Sequence, residues 1–212
     1  MSLGEKLLEI KANAAQYVRP ESQAITDRTI AWLNSSAAVG KALKVGQRAP
    51  AFTLTGTDGR SISSDQVLKT SPAVIVFFRG RWCPYCVAQL EALRELQPKF
   101  AQAGISLWAV SPQTLRQIDF MREQHGLNFS LVRDERNRAA QAFGVAYEVP
   151  AEQQELYRTS FVNLPFINGE DSWSLPMPST FVLDHGVIQH ASVHANFTER
   201  NDPELLLRTL AK

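Results

Sequence analysis

Cysteine is scarce in the 212-residue chain: there are two, Cys83 and Cys86. Two sulfurs three positions apart cannot staple distant segments of a chain this long, so a structural disulfide framework is excluded. The same scarcity argues against structural zinc, which normally draws four ligands from two such pairs. The four histidines, His125, His185, His190 and His194, offer one close pair, His190 and His194, and neither a metal nor another cofactor is expected. No sign of charge dominates, since 22 lysines and arginines against 21 acidic residues leave a formal net charge of +1. Without a basic stripe or an acidic tail, nucleic acid is not an expected partner. Long apolar runs are missing as well, and nothing approaches the roughly 18 residues that mark a membrane span. The opening Met-Ser-Leu-Gly-Glu-Lys-Leu-Leu-Glu-Ile mixes charge into its apolar positions, unlike a secretory signal. A cytoplasmic protein with no membrane partner is the expectation.

What is present is an ordinary globular balance, 44% hydrophobic and 20% charged, in a chain short enough for one main core. Residues 1–44 read as an N-terminal helical extension: Leu3, Leu7, Leu8 and Ile10 recur at helical spacing, Pro20 interrupts, and Ile25, Ile30, Ala31 and Leu33 follow. Their apolar faces make a homodimer plausible. Val45 to Pro50 breaks the pattern, so a second unit is placed at 45–212. There the order alternates. Ala73 to Phe78 is a continuous apolar, β-branched and aromatic run, the signature of a central strand covered on both sides. Helical spacing follows from Cys86 to Gln102, then a strand at Ile105–Val110, a helix at Thr114–Glu123, a strand at Phe129–Val132 and a helix at Arg136–Phe143. Thr180–Leu183 and Val187–Val193 flank a hairpin turn, and Pro203 opens a closing helix, Glu204 to Ala211. The fold class is α/β: a mixed central sheet flanked by helices. Tyr147 to Pro176 does not fit the alternation, and about 30 residues without structure would be unusual in a compact domain. A helix is expected inside it, near Glu152 to Phe161.

The position of the cysteines carries their meaning. A buried strand ends at Phe78, Arg79-Gly80-Arg81-Trp82 forms a turn, and Cys83-Pro84-Tyr85-Cys86 opens the next helix. Free backbone N–H groups and the positive end of a helix dipole stabilise an anion there, lowering a cysteine pKa from about 8.5 to roughly 3.5 to 7.5. Arg79 and Arg81 add positive charge to the same turn. Pro84 costs no hydrogen bond in a first helical turn. The spacing puts both sulfurs on one helix edge, where a small disulfide ring can close and reopen. Trp82 and Tyr85 read as packing at the rim. The competing reading, two small buried hydrophobes at a strand–helix junction, leaves the motif unexplained. Being first in the pair, nearest the helix start and solvent, favours Cys83 as the more reactive thiolate.

Three segments together resemble the peroxiredoxin-like redoxins of the alkyl hydroperoxide reductase and thiol-specific antioxidant family: Ala49 to Leu54, Phe77 to Cys86, and Pro178 to Asp184. The resemblance runs from about Val45 to the C-terminus. It implies a thioredoxin-like fold, and reduction of hydrogen peroxide or organic hydroperoxides by a cysteine that passes through sulfenic acid. Regeneration would come from a thiol reductant such as a thioredoxin. The family pattern Pro-x-x-x-Thr-x-x-Cys puts the peroxidatic role on Cys86, with Cys83 where threonine is usual and Arg79 where proline is usual. The arginine the family tends to carry before its late strand is replaced by Pro178. That proline is a thioredoxin feature, and the thioredoxin pattern makes Cys83 the attacking residue and Cys86 the resolving one. In either register a sulfenic acid would condense with its neighbour, protecting against overoxidation. Arg158 and the aromatics Tyr157, Phe161, Phe166 and Trp173 are candidates for a cover over the site or for a peripheral core. Thiol peroxidase is the leading expectation. Protein-disulfide reductase is its first rival, and a redox-sensing module, with the N-terminal helices as partner surface, is the second.

Overall fold

The computed structural model describes residues 1–36, 38–69 and 72–210. Two helices open the chain, α1 (Leu3–Tyr17) and α2 (Pro20–Ser35), followed by the short α3 (Ala38–Lys41). The start of α1 is fixed by a capping box: Ser2 Oγ accepts from the Glu5 backbone N–H at 3.3 Å, and the Ser2 N–H donates to Glu5 Oε2 at 2.7 Å. Pro20, read as an interruption, sits in the first turn of α2, where its missing N–H costs nothing.

A seven-stranded sheet forms the body. Its strands are β1 (Thr53–Thr55), β2 (Ser61–Ser63), β3 (Ala73–Phe77), β4 (Ser106–Ser111), β5 (Ser130–Arg133), β8 (Ser179–Asp184) and β9 (Val187–Val193), in the order β2-β1-β5-β4-β3-β8-β9. Strands β3, β4 and β5 run parallel, while β1 on β5, β8 on β3 and β9 on β8 are antiparallel. Every residue of β3 is buried, and its side chains alternate between two cores. Ile75 and Phe77 join the cluster holding Phe143 and Phe181, whereas Val74 and Val76 join the cluster holding Leu90, Leu93, Phe100 and both cysteines. The long α5 (Pro84–Gln102) supplies much of that second core, and Pro98 lies within it. Leu3 and Leu7 of α1 are buried in the same cluster, so the apolar side of α1 is turned onto the body.

Three further helices complete the alternation: α6 (Leu115–Gln124), α7 (Arg138–Ala142) and the closing α10 (Pro203–Leu210). Ala211, to which the closing helix was expected to run, lies outside the described residues. Two elements of the body carry little sequence signal, β2 and the short α4 (Ser64–Lys69). The helix expected from Arg136 begins only at Arg138, because Arg136 and Asn137 hold left-handed conformations (φ 58° and 55°). Asp134 sets the start of α7, accepting backbone N–H bonds from Ala139 and Ala140 at 2.9 Å each. The helix ends at Gly144, whose φ of +71° suits glycine, and a Cβ there would strike the Lys41 carbonyl. The extension thus rests directly on the body at this point.

The segment that broke the alternation is structured. It contains α8 (Ala151–Thr159) and α9 (Leu164–Asn168) between two paired strands, β6 (Ala146–Glu148) and β7 (Ser174–Pro176). No helix among the described residues is long and apolar enough to cross a membrane.

Candidate active site

Strand β3 delivers the chain to the site. After Phe78, whose N–H bonds to the Val110 carbonyl at 3.0 Å, the backbone turns through Arg79 to Trp82. Gly80 makes this turn possible: its φ is +153°, and a Cβ would meet the Trp82 indole at 2.6 Å and 2.8 Å. The Cys83 N–H closes the turn on the Gly80 carbonyl at 3.1 Å, and Cys83 caps α5, its carbonyl accepting from Cys86 and Val87. Pro84 follows in the first helical turn, as its chemistry requires.

Both cysteines are free thiols and both are buried, Cys83 at 2% exposure and Cys86 at 0%. A solvent-facing Cys83 is therefore not what the fold builds. Burial opposes charge on either sulfur, and it pushes Cys83 well above the ordinary thiol range, with the hydrogen bond it gives Cys86 acting in the same direction. Cys86 goes the other way. Against the same burial, the bond from Cys83 and the positive charges of Arg200 and Arg79 hold it below the usual thiol range. Arg200 Nη2 donates to Cys86 Sγ at 3.1 Å. Its guanidinium is itself fixed by Gln89 Oε1 at 2.6 Å and by the Phe197 carbonyl at 2.8 Å. Of the two thiols Cys86 is therefore the more acidic, with Cys83 as its hydrogen-bond donor.

Arg79 brings a buried positive charge to the site. It is 2% exposed, stacked against Phe197 (4.1 Å from guanidinium carbon to ring centre), Trp82 (4.6 Å) and Tyr157 (5.9 Å). Its Nη2 donates to the Tyr157 hydroxyl, which burial keeps protonated. Cation–π contacts of this kind contribute about 0.5–2 kcal/mol each, well short of the cost of a buried charge. Among the described residues no carboxylate pairs with Arg79, and the ionisable groups that favour its charge are Tyr157, Tyr147, Cys83 and Cys86.

A cavity of about 320 Å³ opens onto this group. Cys83, Arg79, Trp82 and Phe197 line it from the body, Leu156 and Tyr157 from α8, and Tyr17 and Val18 from the junction of α1 and α2. Cys86 is not on its surface.

The other expected site residues divide. Trp82 joins the site, over Arg79 and edge-on to Tyr157 at 5.4 Å. Arg81 turns away: its side chain bonds Gln117 of α6 at 2.5 Å and covers Phe120, so it adds nothing at the sulfurs. Pro178 is buried just before Ser179, the residue paired with Phe77 across β8 and β3, which places it beside the strand end that leads into Arg79. Arg158 pairs with Glu155 and lies on Trp173, outside the site. Of the aromatics considered for a cover, Tyr157 reaches the site, while Phe161 and Phe166 are exposed. Sequence reasoning missed Arg200, Gln89 and Phe197. The only signal for Arg200 and Phe197 lay in Asn196 to Arg200 following the last strand, and 114 positions separate Arg200 from Cys86.

Residues 45–191 match the sequence model of the AhpC/TSA family, more than half of the chain. The chain belongs to the AhpC/TSA family. Chloroplastic peroxiredoxin Q of Oryza sativa subsp. japonica is 32% identical over 152 residues, 71% of this chain and 59% of the rice protein. The chain thus spans less than two thirds of that relative's length. A thiol-disulfide oxidoreductase, ResA of Bacillus thuringiensis, is 26% identical over 104 residues, 49% of this chain and 59% of that protein. Peroxidoxin BcpB of Mycobacterium tuberculosis shares the fold with a TM-score of 0.62 at 19% identity, covering 80% of this chain and 97% of its own. The AhpC/TSA match begins at Val45, so α1, α2 and α3 lie outside it.

Proposed function

We propose that this AhpC/TSA protein is a thiol peroxidase in which Cys86 attacks the hydroperoxide and Cys83 resolves the product. The observation that carries the reading is the Arg200–Cys86 contact at 3.1 Å, which holds a thiolate at the position where the family pattern puts its peroxidatic cysteine. The Cys86 thiolate takes the terminal oxygen of ROOH: an S–O bond forms, the O–O bond breaks, and the departing alkoxide takes a proton from water and leaves as ROH. The Cys83 sulfur then attacks the Cys86 sulfenic acid. An S–S bond forms, the S–O bond breaks, and the hydroxyl leaves as water with the Cys83 proton. Two donor thiols return the pair to the dithiol and become a disulfide themselves. Hydrogen peroxide and organic hydroperoxides are the proposed substrates, a thioredoxin-like or other thiol the proposed reductant, and the cytoplasm the proposed setting. The family match from residue 45 supports treating 45–212 as the redoxin domain and 1–44 as its helical extension.

A second reading, protein-disulfide reductase with Cys83 as nucleophile, is favoured by one observation: Cys83, not Cys86, lines the cavity. Stopped-flow consumption of hydrogen peroxide by the reduced protein separates the two. The peroxidase reading expects rapid consumption that is lost in Cys86→Ser and survives for one turnover in Cys83→Ser. A wild type that ignores hydroperoxides yet reduces insulin disulfides, with loss in Cys83→Ser, establishes the reductase instead.

A further inference from the structure

The two sulfurs face different surroundings. Cys83 lines the cavity of about 320 Å³ between α8 and the α1–α2 junction, and Cys86 does not. Once the pair is a disulfide, a thiolate arriving through this recess meets Cys83. Attack there also expels the better leaving group, because Cys86 is the more acidic thiol and thiols of lower pKa leave faster. The recess is thus an entrance for the reductant rather than for the hydroperoxide.

The charge around the recess describes that reductant. No aspartate or glutamate lines it, whereas two arginines do, Arg19 and Arg79. In a chain with 22 basic and 21 acidic residues this is a local imbalance, and it attracts anions. Arg79 is sealed under its aromatic rings at the inner end. Arg19 is exposed at the N-cap of α2, and among the described residues its guanidinium has neither an ion pair nor a hydrogen bond. Ser22 and Thr26, one helical turn apart on α2, bring two hydroxyls to the same wall. This wall lies outside the family-matched segment, so it is a feature of this chain.

We infer that the recess binds the reductant, and that the reductant is a small thiol carrying a carboxylate, its sulfur directed at Cys83 and its anion held by Arg19. This rests on the peroxidase reading, whose reductive half it specifies. The volume, roughly ten times the ~30 Å³ share of a water, suits a small organic molecule. A protein donor would have to carry its cysteine down to a residue that is 2% exposed. The donor thiolate forms an S–S bond to Cys83, and the Cys83–Cys86 bond breaks with its electron pair on Cys86. A second donor thiolate then attacks the donor sulfur of the mixed disulfide, releasing Cys83, which takes a proton. Two donor thiols are oxidised to one disulfide, and the protein disulfide is reduced to the dithiol.

The test follows reduction of the Cys83–Cys86 disulfide in the full-length protein, prepared with diamide so that no hydroperoxide is needed. Three small thiols of different charge are compared per thiolate: 3-mercaptopropionate, 2-mercaptoethanol and cysteamine. The mercaptopropionate-to-mercaptoethanol rate ratio at low salt is expected to fall about threefold in Arg19→Ala and about tenfold in Arg19→Glu, with the cysteamine ratio rising instead. Both ratios should hold in Arg19→Lys. They should also hold in Arg60→Glu, which makes the same charge change at an exposed arginine absent from the recess. Every variant meets the same thiols, so their intrinsic reactivities cancel, and circular dichroism checks that each variant folds. Ratios indifferent to residue 19 overturn this inference, as does a disulfide that small thiols leave intact while thioredoxin reduces it. Hydroperoxide consumption by the reduced protein, measured separately, then leaves the peroxidase reading standing. A reduced protein that consumes no hydroperoxide removes both.

Discussion

Arg200 Nη2 lies 3.1 Å from Cys86 Sγ and donates to it, although the loop after the last strand carries one and the first turn of α5 the other. Charge-assisted hydrogen bonds contribute about 1.5–3 kcal/mol, which in a barrier amounts to about ten- to a hundredfold in rate. Arg200→Ala should therefore slow the reaction of the reduced protein with hydroperoxide by about that factor at neutral pH, as read by stopped-flow. Gln89→Ala should give a smaller loss in the same direction, since Gln89 acts by fixing the guanidinium. An unchanged rate in Arg200→Ala would remove the arginine from the mechanism.

The opposed shifts of the two thiols set a pH dependence. Cys86 is held below the ordinary thiol range, so it is already ionised at neutral pH, and its reactivity is lost only as pH falls through its lowered value. The rate with hydroperoxide should be flat from about pH 8.5 down through neutrality and drop on the acid side. Stability follows the same signs. The depressed Cys86 contributes stability that is lost as pH falls through its folded value, and the raised Cys83 contributes stability that is lost as pH rises through its own. Urea midpoints of the dithiol form should peak between those limits. A single rise in reactivity centred near or above pH 8.5 would contradict the assignment of the thiolate.

Removing the resolving partner should expose the oxidation ladder. In Cys83→Ser the Cys86 sulfenic acid has no neighbouring thiol with which to condense, and among the described residues there is no third cysteine. Excess hydroperoxide should convert this variant to the sulfinic acid, seen by intact-mass spectrometry as a gain of two oxygens. The wild type should stop at the disulfide, two hydrogens lighter.

Gly80 is the point where a single methyl group should disturb the site most. A Cβ there would sit 2.6 Å from Trp82 Nε1 and 3.1 Å from Gln113 Oε1, at a φ of +153°. Backbone strain and overpacking each cost about 1–3 kcal/mol. Gly80→Ala should lower the unfolding free energy by a few kcal/mol in urea titration and displace the indole from Arg79.

The parts of this structure that the sequence displays are those governed by local periodicity. The run Ala73 to Phe78 reads as a doubly covered strand from its β-branched and aromatic content, and the Cys-Pro-Tyr-Cys segment announces its chemistry because its residues are contiguous. Strand β2 and helix α4 went unread because Ser61 to Lys69 carries few apolar residues at either period. The start of α7 was misplaced for a different reason. Asp134 caps that helix from four residues upstream, across two left-handed residues that propensity does not foresee. Within the site, Arg79 and Trp82 were legible from their nearness to the cysteines, and Arg81 was over-read on the same ground. Its guanidinium follows Gln117 and Phe120 of the neighbouring helix instead. Arg200 and Phe197 reach the sulfurs only because β9 returns antiparallel along β8, a tertiary relationship that no motif encodes.

The cage around Arg79 gives the chain an optical reporter of its own state. Trp82 is one of four tryptophans, the others being Trp32, Trp108 and Trp173. Its indole holds the buried guanidinium at 4.6 Å, and it lines the cavity together with Cys83. When the thiolate becomes a disulfide, a negative charge that favours the Arg79 cation disappears while the cation stays in place. An indole so close to that cation should change its emission, so the tryptophan fluorescence of the protein can be followed in real time as a record of whether its sulfurs are reduced.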